Sequence, residues 1–213
     1  MLIFFITLTM LLASPEGNEV NHYTPDTGEH NIISYSVSKN SWMALSGTTN
    51  VNSFECLSQS GISSGVILTY SDMGDKKINF SDAQLLMEVN SFDCKNPLIT
   101  RDMYKALGGD KNSGIDIELI DASLTGRSLS SREGTFMANA IITINSHSNM
   151  VELMINWNRS EAMEYHFEGK AHLSMSDFGI IPPAPAMGLV KVNDEITVSF
   201  NYNVKSEEIS RLD

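Results

Sequence analysis

The strongest constraint on this chain is a period of two. Tyr165, Phe167, Gly169, Ala171, Leu173 and Met175 alternate with His166, Glu168, Lys170, His172 and Ser174. Ile196, Val198, Phe200, Tyr202 and Val204 alternate in the same way with Thr197, Ser199, Asn201 and Asn203. Successive side chains on a strand point to opposite faces, so each segment has one dry and one wet face. The pattern predicts further strands at 33–37, 42–49, 65–70, 84–94, 115–122, 134–144 and 150–157. Turn-rich pieces at 71–75 and 145–149 join them, the second closing a hairpin over 134–157. Strands at short intervals with no helices between them predict an antiparallel sheet, closed or sandwiched, and closure removes exposed edges.

One segment departs from the alternation. In 100–109, Thr100 suits an N-cap, Asp102 falls in the first turn, Met103 and Leu107 are four apart, and Gly108-Gly109 marks the stop. This predicts a short helix across one end of the sheet, held there by Met103 and Leu107, since so short a helix is marginal alone.

A six-residue motif occurs twice, as Val51-Asn52-Ser53-Phe54-Glu55-Cys56 and Val89-Asn90-Ser91-Phe92-Asp93-Cys94, and ends each time on one of the chain's 2 cysteines. A bond between Cys56 and Cys94 would stabilise by about 4 kcal/mol in the chain-entropy model. If both copies are strands running the same way, they are second neighbours about 9 to 10 Å apart. A disulfide needs alpha carbons within about 7 Å. The bond then requires the cysteines to lie past the strand ends, converging on one rim. The alternative is a pair of buried free thiols.

With 213 residues, the chain suits one well-buried domain, expected over 32–205 with a leader at 15–31 and a tail at 206–213. The net charge of -12 argues against nucleic acid and anionic membrane surfaces, which select Lys and Arg. Residues 1–14 are apolar and break at Pro15, a run short for a membrane span and suited to a signal peptide that lacks a basic start. Export to the periplasm or medium is the expectation, with no stable membrane insertion; the oligomeric state stays open.

No cluster spells out a reaction. Two cysteines without CxxC spacing and five scattered histidines do not make a metal set. Asp177-Phe178-Gly179 copies a kinase tripeptide without the other kinase signatures. His166 and His172 read as a solvated strand face. Glu55 and Asp93 form an acid pair of the kind expected among 26 acidic residues. The expectation is a protein without catalytic residues, metal or resident cofactor. Its 12 methionines suit ordinary core filling or a cavity for a flexible apolar ligand.

Segment 42–50, Thr100-Arg101-Asp102-Met103, Ser176-Asp177-Phe178-Gly179-Ile180 and 192–198 together resemble the YceI-like family over roughly 32–205. The resemblance implies an all-β fold: an extended, lipocalin-like, eight-stranded antiparallel β-barrel with one short helix near its mouth. It also implies an exported bacterial protein that binds an isoprenoid lipid, such as a polyisoprenoid or a quinone tail, in the barrel. The chain departs from the family at Met103-Tyr104, where a His is usual, in the duplicated Cys motif, and in the insert 182–186. On this reading the ligand is lined by Leu85, Met87, Val89, Leu153, Trp157, Phe167, Leu173, Val198 and Phe200, with Met103 and Leu107 closing the mouth. The competing reading is a filled barrel serving as an envelope structural or interaction module.

Overall fold

The computed structural model describes residues 30–59, 66–72, 77–109, 114–125, 131–160 and 164–212, with the backbone alone at 30–33, 66–72 and 207–212. The expected signal segment 1–14 and the leader up to residue 29 lie outside the described residues. Twelve strands form one antiparallel sheet: β1 His30–Val37, β2 Trp42–Thr49, β3 Ser53–Ser58, β4 Val66–Asp72, β5 Lys77–Asp82, β6 Gln84–Glu88, β7 Phe92–Asp93, β8 Gly114–Leu124, β9 Glu133–Ile144, β10 His147–Arg159, β11 Glu164–Ser174 and β12 Val192–Leu212.

The twelve strands are eight passes of the chain. β1 and β2 form one pass, β3 and β4 the next, and β5, β6 and β7 the third. The first two passes keep one register on both sides of their interruption, from His30↔Ser71 to Tyr35↔Val66 and from Met43↔Ser58 to Thr48↔Ser53. β8 to β12 are single passes, and β12 pairs with both β1 and β2, so the meander returns to its first strand. This is the eight-stranded antiparallel barrel expected from the resemblance.

Two boundaries move. His30 and Asn31, placed in the leader by sequence, begin β1, and 206–212, placed in a tail, continue β12. His30↔Leu212 to Val37↔Val204 is the ladder that closes the ring at that end. The segment 206–212 carries Glu207, Glu208 and Arg211 and so lacks alternation, but a ladder is made by backbone groups and does not require it.

The helix, α1, spans Pro97–Ala106 and starts three residues before the expected Thr100. Asn96 is the N-cap, its side-chain oxygen accepting from the N–H groups of Leu98 and Ile99, and Pro97 occupies the first helical position, where a missing N–H costs nothing. The Thr100 hydroxyl accepts instead from the Cys94 N–H at 3.0 Å, tying the helix to the preceding strand. Asn96→Ala is expected to cost about 1 kcal/mol in chemical unfolding, while Thr100→Ala leaves the helix cap intact.

Cys56 and Cys94 form a disulfide, with alpha carbons 3.8 Å apart. The pairs Leu57↔Asp93 and Ser58↔Phe92 place the cysteines opposite each other on neighbouring passes. The expected second-neighbour spacing was wrong because consecutive passes of a meander run in opposite directions. The two copies of the motif therefore diverge from their cysteines and do not lie side by side. Cys94 lies just past the end of β7, as expected of a cysteine beyond a strand end, and Cys56 is 0% exposed, so the bond sits inside the packed helix end of the barrel.

Candidate functional site

Register fixes which side chains point inward. One cross-strand row runs Ala138, Leu153, Ala171, Val198, Leu45 and Cys56; the next runs Phe136, Ile155, Gly169, Phe200 and Met43. At the helix end this inner face is filled. Met87, Val89, Phe92, the disulfide, Ile115 and Ile144 pack together under Leu107, the C-cap of α1, and Phe178 and Ile180 enter from the segment between β11 and β12. Asp177-Phe178-Gly179 thus has a structural use. Phe178 is 2% exposed, and Gly179 takes φ 65 with the His147 ring against it, a backbone state in which a Cβ would be strained. Neither Phe178 nor Ile180 was singled out for the core by sequence, because both lie on a 3-10 turn and a loop, outside any period-two pattern.

Beyond the plug the inner face is covered less completely. Ile117, Val151, Leu173, Val198, Phe200 and Tyr202 point inward and pack against the plug, and Phe136, Ile155, Tyr165, Phe167 and Val204 also point inward, yet all are only half-buried. In a closed wall, inward side chains that keep accessible surface border open space. Rings line that space: Phe136 stacks on Trp157 at 5.5 Å, Trp157 meets Tyr165 at 6.5 Å, Tyr165 stacks on Phe167 at 6.0 Å, and Phe200 on Tyr202 at 5.4 Å. Phe200 folds over Gly169, which has no side chain to exclude it. Among the described inward positions from the Trp157 row to the plug there is no Asp, Glu, Lys or Arg.

The residues singled out from sequence divide between these two regions. Met87, Val89 and Leu107 belong to the plug, and at 1% and 3% exposure Met87 and Val89 have their surface covered by protein. Met103 packs on the plug from α1. Leu153 anchors a second cluster with Ala122, Ala138, Ala140 and Ala171 in the wall. Leu85, Phe167, Leu173, Val198 and Phe200 are inward and half-buried, and Trp157 is inward and 5% exposed. Phe136, Ile155 and Tyr165 join them; the 134–144 and 150–157 strands and the alternation at 165 already carried that signal.

Two polar atoms in this apolar lining have no hydrogen-bond partner: Trp157 Nε1 and the Tyr202 hydroxyl. Burial pushes the Tyr35 phenol up to about 12 and raises the Tyr202 phenol well above the ordinary tyrosine range. Both are therefore neutral donors at physiological pH.

The other sequence features are on the outer wall. His166 Nδ1 lies 3.0 Å from Asn203 Oδ1, and His172 Nδ1 lies 3.1 Å from the Thr197 hydroxyl. Glu55 and Asp93 are exposed, and Asp93 accepts from the Lys95 N–H at 2.8 Å in the turn into α1. Arg101 and Asp102 form an exposed ion pair at 3.2 Å, a contact worth about 0–1 kcal/mol. A polar hollow of about 410 Å³ lies where Thr125, Glu133, Thr135, Asn156, Asn158 and Glu168 meet around Gly134 and Trp157.

Fold and inner face together define a lipocalin-like meander barrel, packed at one end and lined beyond it by half-buried apolar side chains. Solved structures share this fold. A polyisoprenoid binding domain from Saccharophagus degradans, implicated in plant cell wall breakdown, is 10% identical, with a TM-score of 0.56 over 82% of this chain and 99% of its own. Burkholderia cenocepacia BcnA is 14% identical, with a TM-score of 0.55 over 79% of this chain and 99% of its own. A Campylobacter jejuni YCEI protein matches over 96% of this chain and 99% of its own at 12% identity, with a TM-score of 0.42. The barrel fold that the resemblance over 32–205 implied is the fold shared with the first two of these structures. No family model matches the sequence, and no characterised protein matches it by sequence.

Proposed function

We propose that this protein binds a long apolar molecule of isoprenoid type in the open part of its barrel, to carry or sequester it without chemical change. The observation that carries this reading is the inward tier from Leu173 and Val198 to Phe167 and Tyr202, apolar and half-buried inside a closed wall. Burying about ten CH₂ groups there supplies roughly 8 kcal/mol, which corresponds to micromolar affinity before ordering costs. The polyisoprenoid binding domain of Saccharophagus degradans, which shares the fold, supports the choice of ligand class. The buried Cys56–Cys94 bond suits an oxidising compartment, so the protein acts in the periplasm or outside the cell. No described helix is long and apolar enough to cross a membrane.

Lipid extraction and mass spectrometry of protein purified from its own host, followed by titration with added polyprenols, test the reading directly. No co-purifying lipid and no polyprenol binding would overturn it. Val198→Trp separates it from the filled-barrel alternative. In an open lumen the indole enters free space, so polyprenol affinity falls at least about tenfold while stability stays within about 1 kcal/mol. In a filled barrel, overpacking costs about 1–3 kcal/mol instead.

A further inference from the structure

The segment that plugs the barrel also turns apolar side chains outward. Ile180 is buried in the plug, while Ile181 is 88% exposed, Met187 is fully exposed, and Leu189 is exposed two residues on. Val51, in the turn between β2 and β3, is exposed as well. Asn50 ties that turn to the segment. Its Nδ2 donates to the Leu189 carbonyl at 3.0 Å, its Oδ1 accepts from the Lys191 N–H at 2.8 Å, and its own N–H donates to the Lys191 carbonyl at 3.0 Å.

The backbone that carries Met187 is stiff and strained. Ala186, Met187 and Gly188 take φ of 53, 53 and 84 in succession, and the first two carry a Cβ, which disfavours this left-handed state. Pro182, Pro183 and Pro185 stiffen the approach. The turn is closed by the Leu189 N–H donating to the Ala186 carbonyl at 3.1 Å and the Val190 N–H donating to the Pro185 carbonyl at 3.3 Å. Met187 packs on nothing, so the strain that presents it serves no core. Strain held in an exposed segment points to a use outside the fold.

Charge and size select the occupant. Neither 178–193 nor 38–54 contains an Asp or Glu, in a chain with 26 of them. The four other large apolar side chains exposed among the described residues each stand beside an acid. Leu86 pairs opposite Asp116, Leu98 lies one helical turn before Asp102, and Met150 and Met154 flank Glu152 on one face of β10. Moving those surfaces out of water would take a carboxylate with them, at high cost. The knuckle of Val51, Ile181, Met187 and Leu189 has no such cost. It is also far smaller than the roughly 20–30 residues a side of a stable protein interface. A bilayer needs no matching surface, and affinity there grows with the apolar area inserted.

We propose that this end of the barrel docks reversibly on a lipid bilayer, with Met187, Leu189, Ile181 and Val51 entering the apolar region and Asn50 staying at headgroup level. The proposal is independent of the lumen reading and holds whatever the barrel carries.

The test is titration of the full chain with phosphatidylcholine vesicles, followed by flotation. Wild type is expected to float with the vesicles equally at about 0.1 M and about 1 M salt, since the contact is apolar. Met187→Asp and Leu189→Asp should each weaken binding at least about tenfold, while Met150→Asp, on the strand wall, leaves it unchanged. Met187→Gly relieves the strained φ, so it should melt higher than wild type and yet bind vesicles about tenfold more weakly. A purely structural turn would give the higher melting point alone. Absence of vesicle binding, binding lost at high salt, or binding that survives both aspartate variants overturns the proposal. Self-association that Met187→Asp abolishes, without vesicle binding, also overturns it and assigns the knuckle to a second copy of the chain.

Discussion

Replacing Cys56 and Cys94 together by alanine is expected to lower the unfolding free energy by about 4 kcal/mol, the chain-entropy value for a loop of this length. The bond joins residues 38 apart and closes a loop that holds the second half of one pass and all of the next. Its native-state context argues for the full effect. β7 contributes only two paired residues to β3, Phe92 and Asp93, so few ladder bonds hold the third pass to the second at the helix end without the disulfide. Cys56 is 0% exposed against Met87, Val89 and Phe92, so the variant also loses packed sulfur. Urea unfolding of the oxidised wild type, the reduced wild type and Cys56→Ala/Cys94→Ala measures the effect. A loss below about 1 kcal/mol would mean that the unfolded chain is already held compact without the bond, contrary to the chain-entropy model.

The sequence carried the wall of this barrel more clearly than its ends. In β11 and β12 the inward set, from Tyr165 to Leu173 and from Ile196 to Val204, is the set the alternation picked out, because one face of each strand is wet and the other is not. Signals that depend on a partner were hidden. Residues 206–212 are in a strand because β1 lies beside them, and nothing in Ser206-Glu207-Glu208 announces that neighbour. The cysteine bond was legible from composition, but its geometry depended on knowing that passes two and three are adjacent. Asn96 was passed over as a cap in favour of Thr100, although Asn followed by Pro at the first helical position is the stronger start signal. The missing partners of Trp157 and Tyr202 could not be read at all, since a hydrogen bond that is not made leaves no trace in residue order.

Phe178→Ala is expected to destabilise the protein by about 3–5 kcal/mol, the range for deleting a fully buried phenyl ring. The effect should lie at the upper end of that range because the site cannot collapse easily. Phe178 enters a core walled by strands whose positions are fixed by ladders on both sides, and the chain that carries it is tied down around it. Ile180 N–H donates to the Met175 carbonyl at 3.0 Å, the Ser176 N–H donates to Asp194 Oδ1 at 2.9 Å, and the Asn149 amide holds the Asp177 carbonyl. A backbone held this firmly leaves a cavity where the ring was. Phe178→Leu keeps most of the volume and should cost less than about 1.5 kcal/mol, which separates lost packing from a disturbed turn. The cavity would also join the plug to the open lumen, so a ligand tail one or two isoprene units longer should gain affinity in Phe178→Ala and not in Phe178→Leu. Chemical denaturation of both variants and titration with polyprenols of increasing length measure the two effects. Stability losses of equal size in the two variants would show that Phe178 serves the turn, and that the helix end of the barrel is closed by something other than this ring.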